Sequence, residues 1–303
     1  MRKTFVLGSI NVDMTIATDR LPMIGESKPA HDFMMTQGGK GANQAIAAKR
    51  LNENGEVFFI GAIGNDKNGE FVKKSLEKDN INIDGLQIVD NVSTGVCVII
   101  LDESQKDNLL LIDKGANEYI NTNDALTFLT NNANKGDIFI SQLETNLDVV
   151  EQCMSEAKKI GMFAILNPAP ACNLNKDIYK YVDLIVPNTT ETKLLTDIDV
   201  KNDVDIKNVY NFFNVPNLII TLGSKGSAYF DGKELIKHEA IKCDVVDTTC
   251  AGDTFIGALA SKYAQGVEIK SALDFARRCS SITVSRKGSS VSIPYEYEMK
   301  ENK

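Results

Sequence analysis

The 303-residue chain has no tryptophan and only two histidines, His31 and His238. One common base-stacking side chain is therefore missing. Basic residues are also in deficit, with 33 Lys and Arg against 41 Asp and Glu and a formal net charge of −8. That balance argues against duplex-DNA or RNA binding and against general attraction to anionic membranes. It leaves room for an anionic ligand, because a local nest of backbone N–H groups can hold one on an acidic protein. Long apolar runs are absent too. Leu109–Ile112 and Phe163–Leu166 fall far short of the ~18 residues that a membrane span requires. The N-terminal apolar stretch meets Gly8, Ser9, Asn11 and Asp13 too soon for a signal peptide, so a buried first strand and a cytoplasmic protein are expected. The six cysteines (97, 153, 172, 243, 250 and 279) contain no C-x-x-C pair. They read as reduced thiols, mostly buried, rather than zinc ligands or a disulfide framework. No repeat, low-complexity tract or long linker is visible, and the charged tail from Glu296 to Lys303 is expected to fray.

What is present is alternation. Strands are expected at Phe5–Ile10, Val57–Ile63, Asp137–Gln142, Met162–Leu166, Leu184–Val186 and Leu218–Leu222. Helical periodicity marks Gly41–Leu51, Gly69–Lys78, Leu147–Lys159 and Phe255–Tyr263. Strand–helix alternation predicts an α/β fold with a mostly parallel sheet covered on both faces. Two stretches break the rhythm. Met14–Gln37 lacks helical period, and Val92–Asp113 holds two β-rich runs around a polar DESQKD segment, a hairpin signal. Both read as a small β-rich appendage, with an antiparallel edge on the main sheet as the plain alternative. The division expected is a body of residues 1–13, 38–91 and 114–303, with a lid of residues 14–37 and 92–113. Length alone suggests about two domains, and one large α/β domain fits as well.

Six clusters follow apolar runs or open helices. Thr248-Thr249-Cys250-Ala251-Gly252-Asp253 precedes the helical run from Phe255, so Gly252 and Asp253 sit where free N–H groups and the helix dipole form an anion site. The dipole is expected to keep Asp253 ionised, as a general base requires. A favourable first-turn acid is the competing explanation. Gly38-Gly39-Lys40-Gly41-Ala42-Asn43-Gln44 is a glycine-rich turn opening a helix. It is not a Walker A loop, since Met34 stands six before Lys40 and Gly41 stands where Ser or Thr should be. Thr221-Leu222-Gly223-Ser224-Lys225-Gly226 follows a strand and is equally readable as a β-turn. Asn188 and Glu191 are three apart after another strand, a spacing that helix capping also explains. Gln142-Leu143-Glu144 and Gly8-Ser9-Ile10-Asn11-Val12-Asp13 complete the set, the latter placing Asn11 and Asp13 on one side of an extended segment. Clustering after strands is the layout of a crevice at the carboxyl edge of a parallel sheet.

The ordered set GSINVD, GGKGANQA, QLE, NPAPA, PNTTE, TLGSKG, DTTCAGDTF and SRKGS resembles the ribokinase branch of the PfkB sugar-kinase family over nearly the whole chain. The resemblance implies a three-layer α/β/α sandwich with a small β-sheet lid that often makes a dimer contact. It implies ATP-dependent phosphorylation of D-ribose at the 5-hydroxyl, with 2-deoxyribose, another pentose or a nucleoside as the alternative substrate. A regulator on a catalytically dead kinase scaffold is the alternative from another class. By resemblance, Asn11, Val12, Asp13, Gly39, Lys40, Gly41, Ala42, Asn43 and Glu144 bind the sugar, Asp253 is the base, and Ala251, Gly252 and Asp253 form the anion hole. Asn188, Thr221, Leu222, Gly223, Ser224, Lys225, Gly226 and Arg277 line the ATP side, with Glu191 on Mg2+ through water. A K+ site is implied at Asp247, Thr249, Thr283, Arg286, Gly288 and Ser292. The chain departs from the family pattern at Thr189 (often Glu), Cys250 (Gly or Ala), Ile256 (Asn) and Arg277 (Asn or His). Cys250, at a helix N-terminus, is expected to be an alkylation-sensitive thiol.

Overall fold

The computed structural model describes residues 1–105 and 107–301, without the side chains of residues 300 and 301. In chain order the strands are β1 (Thr4–Leu7), β2 (Asn11–Thr18), β3 (His31–Gly38), β4 (Val57–Gly64), β5 (Asn82–Val89), β6 (Gly95–Asp102), β7 (Asp107–Asp113), β8 (Ile138–Ser141), β9 (Phe163–Leu166), β10 (Leu184–Ile185), β11 (Asn217–Thr221), β12 (Ser227–Phe230) and β13 (Leu235–His238). The helices are α1 (Lys40–Arg50), α2 (Lys67–Lys78), α3 (Thr122–Asn132), α4 (Leu147–Ile160), α5 (Thr189–Thr196), α6 (Asp203–Phe213), α7 (Ala251–Ala264), α8 (Ile269–Val284) and α9 (Glu296–Glu301).

Nine strands form one sheet in the order β13-β12-β11-β10-β9-β8-β1-β4-β5. It is parallel from β11 to β5 and antiparallel only at the β12 and β13 edge. In β1, Val6 enters one core and Phe5 and Leu7 the other, all fully buried. That alternation is what a parallel sheet covered on both faces demands of its strands. From β1 the chain passes to β4 and β5 on one side, then returns to β8, β9, β10 and β11 on the other. The order therefore reverses between β1 and β8, the switch point where crevices open at the carboxyl edge.

A separate four-stranded sheet, in the order β3-β2-β6-β7, forms the lid. β6 and β7 pair antiparallel as the hairpin signal predicted. The expected first strand, Phe5–Ile10, ends at Leu7 instead, and the chain re-enters extended structure at Asn11 in the other sheet. Asn11–Asp13 thus belong to a lid strand rather than to the body. Just past that end α1 comes very close, and a Cβ on Gly41 would stand 2.6 Å from the Gly8 backbone, so both positions suit glycine.

The alanines of α1 let it pack closely on α7. A Cβ on Gly257 would lie 2.4 Å from the Cβ of Ala47, so only small residues allow this spacing. The tail expected to fray is helical as α9 through Glu301. α9 is held by Met299, 4% exposed, whose Sδ lies 3.7 Å from the Cys279 Sγ. Residues 302 and 303 of that expectation lie outside the described residues. Among the described residues no helix is long and apolar enough to cross a membrane.

Candidate active site

A cavity of about 370 Å3 opens where β1, β8, β9, β10 and β11 end. Its body wall carries Gly39, Lys40, Asn43, Glu144, Asn167, Asn188, Glu191, Thr221, Thr249, Cys250, Gly252, Asp253 and Ile256. Lid strand β2 contributes Asn11 and Asp13. Cys97 and Ile99 of β6 and Asn108, Leu110 and Ile112 of β7 complete the lid wall. Cys97 pairs with Ile112 and Ile99 with Leu110 across the hairpin, so the lid's inner face is largely apolar. It covers a polar floor, the arrangement that orients a small polar ligand while limiting water.

At the switch point Ser9 Oγ donates to Glu144 Oε2 at 2.6 Å, and the Lys40 amide reaches the same oxygen at 3.1 Å. The Lys40 ammonium stands 3.8 Å from Glu144 Oε1. Burial works against that ammonium, but Asp253, Glu144 and Glu191 outweigh it and raise its pKa. Burial also pushes the Asp13 carboxyl up to about 6, opposed by the Ser289 hydroxyl and Lys40 and reinforced by Glu144 and Asp253. The Asp13 carboxylate fills the space that a Cβ on Gly38 would occupy, 2.1 Å away.

Asp253 lies in the first turn of α7. Asn43 Nδ2 donates to its Oδ2 at 3.2 Å and Gln44 Nε2 to its Oδ1 at 2.9 Å. Gln44 is itself locked. Gln142 Nε2 donates to its Oε1 at 2.6 Å, and its own Nε2 also reaches Asn167 Oδ1 at 3.1 Å. Asn167 is anchored in turn on the Val186 carbonyl at 2.9 Å. The helix dipole is not the largest influence on Asp253. Burial dominates and raises its pKa, with Lys40, Gln44 and Asn43 offsetting only part and Glu144 adding to the rise. A base tuned upward is a stronger proton acceptor nearer working pH.

The first helical hydrogen bond of α7 runs from Thr254 N–H to the Cys250 carbonyl at 2.8 Å. The amides of Gly252 and Asp253 precede it, and a Cβ on Gly252 would meet nothing within 4 Å. Ala251 N–H leans on the Thr248 carbonyl at 3.4 Å, so Gly252 and Asp253 are the open donors of this turn. Cys250 caps the helix with φ of 67°, left-handed for a residue with a side chain. The expected reactive thiol is also corrected. Cys250 is buried, and burial together with Asp253 drives its pKa well above the usual cysteine value.

Val12, Gly41, Ala42, Leu222 to Gly226 and Arg277 do not line the cavity. The Val12 side chain faces the core, opposite Asn11 and Asp13, and Ala42 is likewise fully buried. Gly41 is pressed against Gly8. Leu222 to Gly226 form the turn joining β11 to β12, closed by Leu222 N–H to the Gly226 carbonyl at 2.8 Å. A Cβ on Gly226 would strike the His238 carbonyl at 1.9 Å. Arg277 is tied to Asp274 and the Glu239 carbonyl. Asn188 and Glu191 form a full capping box on α5, with both Glu191 oxygens engaged by Asn188 at 2.8 and 2.9 Å. Asn188 pairs with Thr221 across an isolated bridge, which brings both to one end of the cavity. Asp247 ties its loop together, accepting from Thr249 N–H at 2.9 Å and Gly288 N–H at 3.0 Å. Those donors overcome burial and lower its pKa. Thr283 is buried under that loop, the Arg286 side chain pairs with Glu298, and Ser292 Oγ donates to the Ser289 carbonyl at 2.6 Å.

A switch-point cleft with a buried acid at a helix N-terminus, neighbouring open amides and an apolar lid defines a small-molecule transferase site of the α/β class. The sequence matches the pfkB family carbohydrate kinase description over residues 1–296, and the chain belongs to that family. It is 38% identical over 300 residues to a ribokinase of Schizosaccharomyces pombe, covering 95% of this chain and 94% of that one. It is 32% identical over 293 residues to a deoxyribokinase of Salmonella typhi, covering 95% and 94%. Among solved structures, the Arabidopsis thaliana ribokinase complexed with ribose and ATP superposes with a TM-score of 0.90 at 30% identity, covering 99% of this chain and 98% of that one.

Proposed function

We propose that the protein transfers the γ-phosphoryl group of ATP to the 5-hydroxyl of D-ribose. The observation that carries this reading is the meeting of Asn11, Asp13, Lys40, Asn43, Glu144 and Asp253 in one lidded cavity with the open amides of α7. Asn11, Asp13, Gly39, Lys40, Asn43 and Glu144 hold the sugar hydroxyls, while Val12, Gly41 and Ala42 act through the backbone they shape. Asp253 takes the proton of the attacking hydroxyl, and the Gly252 and Asp253 amides receive the charge on the transferring phosphoryl. Ala251 starts that turn. ATP lies toward Asn188, Thr221 and the turn from Leu222 through Gly223, Ser224 and Lys225 to Gly226, with Arg277 at the adenine side.

The residues present fit two metal ions. Both Glu191 oxygens are held by Asn188. Mg2+ would be carried mainly by water and ATP oxygens, with Glu191 reaching it through water, and would screen phosphate charge. A monovalent cation such as K+ would be held at Asp247, whose pKa is lowered, and at Thr249, Thr283, Arg286, Gly288 and Ser292, several of them through main-chain carbonyls. It would fix the loop beside the amides. We further propose a homodimer through the lid, whose outer face exposes Leu109, Leu111 and Phe33, and a cytoplasmic setting in keeping with the free cysteines.

Coupled measurement of ADP release with ATP, Mg2+ and a panel of pentoses tests the reading. Ribose is expected to have the highest kcat/KM. Turnover of 2-deoxyribose but not ribose would redirect the substrate, and no turnover with any sugar would favour a regulator.

A further inference from the structure

Asn117 lies in the 3-10 turn Gly115–Tyr119 that follows the lid, and is 1% exposed. Its Oδ1 accepts from the Ile10 N–H at 2.9 Å. Its Nδ2 donates to Asn11 Oδ1 at 2.8 Å, to the Lys114 carbonyl at 2.9 Å and to the Ile10 carbonyl at 3.2 Å. Turning this amide over would set its N–H2 against a donor and its oxygen against three acceptors, so one orientation is fixed. The bond to Asn11 passes over Gly95, where a Cβ would lie 2.2 Å from Asn11 Oδ1 and 2.4 Å from Asn117 Nδ2.

We propose that Asn117 is a positioning residue that decides which end of the Asn11 amide faces the cleft, so that the sugar meets an N–H donor there. The proposal rests on the reading of Asn11 as a sugar contact. With Asn11 Oδ1 held from behind, its N–H2 is the end left for the ligand. Asp13, two residues along the same strand, supplies acceptor oxygens once ionised. One donor beside one acceptor matches a vicinal diol, in which one hydroxyl oxygen receives a hydrogen bond and a neighbouring hydroxyl gives one. A 2-deoxy sugar leaves one of the pair unmatched. Asn117 also stands at the root of the lid. Asn11 opens β2, Gly95 opens β6 and Lys114 follows β7.

The test compares kcat and KM for ribose in the full-length wild type, Asn11→Ala, Asn117→Ser and the double variant. Each single change is expected to raise KM roughly tenfold with kcat held within about threefold. The double variant is expected to match Asn11→Ala, because Asn117 acts through Asn11. A multiplied loss in the double variant would overturn the proposal, as would an unchanged KM in Asn117→Ser. An unchanged KM in Asn11→Ala would instead refute Asn11 as a sugar contact. If Asn117→Ser does not fold, Asn11→Asp decides the matter. One carboxylate oxygen keeps the Asn117 bond while the other puts an acceptor where the donor stood. A KM at least tenfold higher supports the assignment, and a wild-type KM refutes it.

Discussion

Replacing Asp13 by Asn should stabilise the ligand-free protein, and the size of the gain should depend on pH. Asp13 is 7% exposed, and its carboxyl pKa is raised from 3.8 to about 6, chiefly by burial. Well below 3.8 both folded and unfolded chains carry the proton, and the carboxyl contributes no difference. Between 3.8 and 6 the unfolded chain releases its proton while the folded one retains it, so stability falls as pH rises. Above 6 the folded protein holds a buried carboxylate near Glu144 and Asp253. The shift of roughly two pKa units corresponds to about 3 kcal/mol at pH 7.5 and about half of that at pH 5. Asn has nearly the same shape and does not titrate, so Asp13→Asn should recover that amount. Urea denaturation of both proteins without sugar, at the two pH values, reads the difference from the shift in midpoint. An equal gain at both pH values, or none at pH 7.5, would refute the reasoning. The same variant should bind ribose poorly, since a site that costs stability is one shaped for its ligand.

Three further outcomes follow from the geometry. Cys250→Gly should stabilise the fold by about 1 kcal/mol by relieving a left-handed residue at the start of α7, read as a rise in thermal midpoint; a fall would contradict it. Iodoacetamide should label exposed Cys243 well before buried Cys250, in order of peptide mass shifts; early labelling of Cys250 would show that its thiol is not held protonated. Gln44→Met should lower kcat by about tenfold or more and move the acid limb of its pH profile upward, because Gln44 is the side-chain donor to Asp253 Oδ1. An unmoved limb would show that the amide does not tune the acid. Lys40, Glu144, Asp13, Glu191 and Cys250 also act on Asp253, so the limb belongs to the cluster.

The sheet and most of the cleft were legible because both depend on local pattern. Apolar runs such as Phe5–Ile10 and Leu218–Leu222 mark strands to within a few residues of the observed Thr4–Leu7 and Asn217–Thr221, and the polar clusters that follow them mark the carboxyl edge. Asn188 and Glu191 were readable as a cap from their spacing alone, and the capping box is present. What escaped was carried by long-range contact. Gln44, Gln142 and Asn167 lay inside recognised motifs, yet their amides meet Asp253 or each other across 98 to 209 residues of chain. Asn117 had no motif to mark it, since its role comes from a 106-residue separation from Asn11. At Asp253 and Cys250 the helix terminus is opposed by burial, which raises both pKa values and which no local pattern in the sequence reveals. Helix-terminus effects amount to roughly 1 kcal/mol, whereas desolvation of a buried charge is larger. Burial of these two side chains depends on the packing of α1 against α7, far apart in the chain.

Phosphoryl transfer by this site turns on Asp253 as the acceptor of the ribose 5-hydroxyl proton. The decisive measurement pairs ribose binding by calorimetry with single-turnover phosphorylation in Asp253→Asn. The account predicts that the variant binds ribose within about threefold of wild type while the phosphoryl-transfer rate falls by roughly a hundredfold to ten-thousandfold. Transfer at near wild-type rate, with binding intact, would contradict it.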